Sequence, residues 1–109
     1  MKKSLLIFCS LLFTVSLFAA FKNLQVLPKN MSNDEMKTTM KAISDALGVK
    51  CDYCHIMSAM EKDTPKKTIA VMMFKMAGDI NTKYSGNFAS KKRIGCVTCH
   101  NGQKIPKMI

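Results

Sequence analysis

Apolar residues fall into three blocks along the chain. Ser4 to Phe21 is almost wholly apolar and carries no charge. Further on, Met36, Met40, Ile43 and Leu47 recur at spacings of four, three and four. That is one stripe of helical period. A third block, Ile69, Met72, Met73, Met76, Ala77 and Ile80, repeats the same period. No pair of segments alternates with period two. The pattern predicts an all-α fold.

Punctuation around the stripes sets their limits. Ser32 can cap a helix, Glu35 completes a capping box, and Asp34 adds to an acidic first turn. Gly48 is a natural stop. The first helix is therefore expected over 33–47. Thr64 as cap and Pro65 at the first helical position open a second helix. It is expected to end near Asn81 to Lys83, with Gly78 as a weak point or a place of close packing. Phe21 to Met31 reads as an extended lead-in, with Pro28 holding Leu27 out of the helical region. Ser85-Gly86-Asn87 and Asn101-Gly102 are turn signals.

The first block stands apart. Met1-Lys2-Lys3 followed by an apolar run is the pattern of a secretory signal or a single N-terminal anchor. The run of about 18 residues is just long enough to span a bilayer. A cleavage site near Ala19 or Ala20 would put Leu17 or Phe18 where a small residue is preferred. Both outcomes stay open: a soluble periplasmic protein after cleavage, or one anchored to the inner membrane. Cys9 reads as one more apolar residue of the run. Residues 1–21 are thus set aside, and 22–109 is expected to be one exported domain.

The whole chain carries 17 Lys and Arg against 7 Asp and Glu, a net charge of +10. Without Lys2 and Lys3, 15 basic residues face the same 7 acidic ones, leaving +8. A basic surface attracts acidic proteins, lipid headgroups or nucleic acid. Export argues against nucleic acid. The bland reading is a solvated surface that keeps the protein soluble. A domain this small builds a thin core and needs a staple. It has no Trp, and only Phe21, Tyr53, Phe74, Tyr84 and Phe88 are aromatic from residue 21 on.

The staple is written twice, as Cys51-Asp52-Tyr53-Cys54-His55 and Cys96-Val97-Thr98-Cys99-His100. C-x-x-C-H is the spacing of covalent c-type haem attachment. Two thiols add to the two vinyl groups of one haem, and the following histidine ligates the iron. Residues three apart share one side of a helical turn, so a short helix is expected to open at the first motif. His55 and His100 are the only histidines in the chain. Neither iron can then take a second histidine from this chain. The remaining options are methionine, a weaker donor, water or nothing, and Met/His ligation raises the reduction potential. Ten methionines are present, and most read as flexible core fillers. Met40, ahead of the first motif, and Met73 or Met76, ahead of the second, are the candidates for iron.

These residues resemble the photosynthetic reaction-centre cytochrome c subunit family and related short two-haem exported proteins. The resemblance is carried by Asn23-Leu24-Gln25-Val26-Leu27, Met40-Lys41-Ala42-Ile43 and the run from Leu47 to His55. It continues through Met73-Phe74-Lys75-Met76, Ile80-Asn81 and the run from Cys96 to Gly102. In that family the helix before a motif supplies the distal methionine. The resemblance implies Met40 for the haem on Cys51 and Cys54, and Met73 for the haem on Cys96 and Cys99. Met76 then corresponds to a packing methionine of the same helix. The family's reaction-centre members carry four motifs, and this chain has two. What the resemblance implies is electron transfer, with the partner left open.

Three other readings compete. C-x-x-C twice is also zinc-ligand spacing, but it leaves both histidines idle. A thiol oxidoreductase wants a βαβ context that is missing. A haem enzyme or gas sensor needs an open iron position and polar distal groups, and no histidine is spare for that role. The sequence thus points to a small multihaem cytochrome c of two helix-then-motif units. It is expected to be an exported dihaem electron carrier, not an enzyme, with redox protein partners and no small-molecule substrate.

Overall fold

A computed structural model describes residues 21–88 and 92–109. Helix α1 spans Asn33–Leu47, α2 Pro65–Tyr84 and α3 Cys96–His100, with 3₁₀ turns at Cys51–Tyr53 and Ser85–Asn87. Among the described residues there is no strand, only an isolated bridge between Ile56 and Ala59 inside one tight turn. The all-α expectation holds. The apolar run at 1–20, read as signal or anchor, lies outside the described residues. Among the described residues no helix is long and apolar enough to cross a membrane.

Helix α1 has the expected bounds because its signals are local. Ser32 Oγ accepts from the Glu35 N–H at 3.2 Å, and the Ser32 N–H donates to Glu35 Oε2 at 2.7 Å. These bonds satisfy two groups at the helix start that have no intrahelical partner. They also hold the Glu35 carboxyl below its ordinary range, the Ser32 backbone bond first and its hydroxyl second. At the other end Gly48 takes φ 64°, and its N–H reaches back to Asp45 O. A Cβ on Gly48 would stand 2.1 Å from Gly102 O. The Gly102 N–H in turn donates to Ala46 O at 2.8 Å. The end of α1 is thereby fastened to the turn that follows α3, and the two helices pack together. Among the described residues, Ala46 and Met31 are the buried apolar ones.

Helix α2 runs one residue past its expected end. Thr64 caps it, accepting from the Lys67 N–H at 3.1 Å. The lead-in is tied to the loop before it: Asn23 Nδ2 donates to Glu61 O at 2.7 Å and to Asp63 Oδ1 at 3.0 Å, and Gln25 Nε2 donates to the same oxygen. The roll of α2 is visible in its burial. Ala70, Val71, Phe74, Ala77 and Gly78 are half-buried and Asn81 is buried, whereas Ile69, Met72, Met73 and Met76 are exposed. The stripe is therefore divided: Ile69, Met72, Met73 and Met76 face outward, while Ala77 and Ile80 are half-buried. Asn81 decides this. It bonds inward to Ile94 and turns its own side of the helix in. The first motif opens a short helix as expected, of 3₁₀ form, and the second forms α3.

Two expectations follow. Gly48→Ala forces an L-residue into the left-handed region, which costs roughly 1–2 kcal/mol, and adds a clash with Gly102 O. Denaturant unfolding should show at least that loss, and an unchanged midpoint would contradict the close approach. Glu35 has a lowered folded pKa, so its contribution is complete above the unfolded value of 4.5 and is lost as pH falls through the lower folded value. Amide exchange in the first turn of α1 should quicken over that acid range and, in Glu35→Gln, should lose that pH dependence.

Candidate haem-binding sites

Three residues, Gly48 to Lys50, separate Leu47 from the first motif. The Cys54 N–H donates to Cys51 O at 3.2 Å and the His55 N–H donates to the same carbonyl at 3.0 Å. This tight turn puts Cys51 and Cys54 on one side, Cys51 exposed and Cys54 half-buried. Burial pushes the Cys54 thiol above its ordinary range, against the pull of the Lys66 ammonium. In the second motif the exposures are reversed, with Cys96 half-buried and Cys99 exposed. Gly95 N–H donates to Thr98 Oγ1 at 3.0 Å and starts α3. All four thiols are free. Among the described residues no three of His, Cys, Asp and Glu come together as a metal-ion site. A four-cysteine zinc cluster has no counterpart in this geometry.

Both histidines are held in the same way. His55 Nδ1 lies 2.9 Å from Met60 O, and His100 Nδ1 lies 2.9 Å from Gln103 O. A carbonyl only accepts, so each Nδ1 carries a ring proton, and the tautomer this selects for the neutral ring has its lone pair on Nε2. That is the state of a metal-ligating imidazole whose second nitrogen is oriented by a backbone oxygen. The sequence held no sign of these bonds, because a backbone acceptor has no residue signature.

The motifs are also tied to the helices and to each other. Thr64 Oγ1 donates to Cys54 O at 2.5 Å, so the start of α2 is fixed to the first motif. Asn81 fixes its far end to the entry of the second. The Tyr53 ring, inside the first motif, faces Lys66 Nζ at 5.2 Å and Lys104 Nζ, from beyond the second motif, at 5.5 Å. Both distances lie within cation–π range. Thr64 was legible as a cap and Asn81 only as part of a resemblance; neither tether could be read from spacing. Met40 is half-buried on α1, and Met73 and Met76 stand on the exposed face of α2.

The donor set fits c-type haem. Each site offers two free thiols on one turn and an imidazole oriented through Nδ1, and the described residues expose methionine and isoleucine surface of the kind an apolar macrocycle would cover. Residues 16–109 match the family described as photosynthetic reaction centre cytochrome C subunit. The chain belongs to that family. It is 30% identical over 91 residues to the photosynthetic reaction center cytochrome c subunit of Rubrivivax gelatinosus, covering 82% of this chain and 24% of the relative. The namesake subunit of Thermochromatium tepidum is 33% identical over 82 residues, or 62% of this chain and 20% of the relative. Cytochrome c-554 of Chloroflexus aurantiacus is 36% identical over 83 residues, or 72% and 20%. The chain thus spans a quarter or less of these relatives. Membership in the cytochrome c subunit family, with two C-x-x-C-H motifs, makes it a small dihaem c-type cytochrome.

Proposed function

We propose that residues 22–109 form an exported electron carrier with one haem on Cys51 and Cys54 and a second on Cys96 and Cys99. The observation that carries the proposal is the doubled site, each with a thiol pair followed by a histidine whose Nδ1 is bonded to a backbone carbonyl. Bound haem supplies a reversible one-electron change at iron. His55 and His100 present Nε2 as proximal ligands, and the backbone bonds at Nδ1 keep them from turning. Met40 and Met73 are the distal ligands. Met73 is supported by its place on α2: at 3.6 residues per turn it lies about 80° round the helix from Asn81, whereas Met76 lies about 140° away. One observation favours Met76 instead. It lines an open groove of about 410 Å³ with Met72, Ile80 and Tyr84, and Met73 does not.

With a methionine on each iron, no position is open for substrate, and the protein carries electrons without catalysing a reaction. Its net charge favours a redox partner with an acidic docking surface. Family membership supports a periplasmic or membrane-associated place, with the N-terminal run as leader or anchor.

Intact mass and the reduced absorption spectrum should give two thioether-linked haems per chain. Met40→Ala and Met73→Ala should each turn one haem of the two high-spin or water-ligated and lower its potential, with Met76→Ala silent. If Met76→Ala changes the spectrum and Met73→Ala does not, the second distal ligand is Met76. Carbon monoxide added to the reduced protein should bind slowly or not at all; prompt binding at both haems rules out the six-coordinate carrier.

A further inference from the structure

Each helix that precedes a C-x-x-C-H motif grips the backbone two residues ahead of the motif's first cysteine. In the first unit Ser44 Oγ donates to Val49 O, and the Val49 N–H donates to Ser44 O at 3.1 Å. In the second, Asn81 Nδ2 donates to Ile94 O at 2.9 Å, and the Ile94 N–H donates to Asn81 Oδ1 at 2.8 Å. Val49 stands two before Cys51, and Ile94 two before Cys96. The partners are five residues apart in the first unit and thirteen in the second. The same attachment point is reached across different lengths of chain, so it is not a by-product of a fixed loop. Asn81 is also the buried polar residue of the described chain, at 8% exposure. Burying an amide is tolerated where its donor and acceptor are both used. Here both are spent on one residue.

We propose that Ser44 and Asn81 are positioning residues that set how firmly each distal methionine holds its iron. The inference rests on the proposed function. A thioether is a neutral, weak donor, so its bond to iron depends on the helix being held at the right distance from the motif. In the first unit Met40 lies one turn of α1 before Ser44, and only Gly48 to Lys50 separate α1 from Cys51. The short connection shares the work with Ser44. In the second unit Met73 lies about two turns before Asn81, and the connection from α2 to Cys96 is long. Asn81 is then the main restraint on the distance between α2 and the second haem. A purely structural Asn81 would support folding alike for both haems. A positioning Asn81 acts on the second haem alone.

The test uses the full-length holoprotein and imidazole as a probe that displaces a weakly held methionine. The spectra of Met40→Ala and Met73→Ala assign the signals to each haem. Asn81→Ala should bind imidazole at the second haem on the order of tenfold more tightly, the equivalent of one net hydrogen bond. It should also lower that haem's potential and leave the first unchanged. Ser44→Ala should shift the first haem only, and by less. Asn81→Gln keeps both the amide donor and the amide acceptor on a longer stem; it should fall between wild type and Asn81→Ala, and it serves if the alanine variant does not assemble. Unchanged imidazole affinity and potentials, with only a lower melting temperature, overturn the proposal. So does an equal shift at both haems. A wild-type second haem without the methionine–iron charge-transfer band overturns the ligand reading itself, and is seen before any variant is made.

Discussion

The left-handed turn at Gly48 carries the end of α1 onto the Gly102 carbonyl, with the Gly102 N–H returning to Ala46 O. Gly48 lies three residues before the first cysteine and Gly102 three after the last. One backbone contact therefore joins the two motif neighbourhoods directly. Little apolar burial backs it up, with only Met31 and Ala46 buried among the apolar side chains described. The protein is held by end-to-end tethers more than by a core. This is the expected condition of a small domain whose apolar volume is to come from its prosthetic groups.

Helix α2 closes the circuit from the other side. Thr64 binds the first motif and Asn81 binds the approach to the second, so one rigid rod spans both. Seventeen residues of helix rise about 25 Å. Its roll is set at the ends, and the face it turns outward is the one rich in methionine. Tyr53, between Lys66 and Lys104, adds a contact where the start of α2, the first motif and the C-terminal segment meet.

What was legible in the sequence was local. The capping box at Ser32 and Glu35, the stop at Gly48 and the cap at Thr64 each act within a few residues, and α1 came out with its expected bounds. The cysteines and histidines were legible because covalent chemistry fixes their spacing. What the apolar stripe of α2 faces was not legible, since periodicity finds such a stripe without saying what it faces. Phe74 and Ala77 supply the inward side, and Asn81, a polar residue, orients it. The 3₁₀ form of the first motif, the carbonyls of Met60 and Gln103 behind the histidines, and the approach of Gly48 to Gly102 are backbone events. They leave no residue code.

The unequal connections have a consequence for how this chain can change. Where the path from helix to motif is three residues, Gly48 to Lys50, an inserted residue would rotate and displace the first motif against α1. Between Tyr84 and Ile94 the motif is located by Asn81 and not by the count of residues. Doubling such a loop costs only about 0.6 kcal/mol in closure entropy. The second connection is therefore free to drift in length and composition while the first is not, and sequence variation between relatives should gather there.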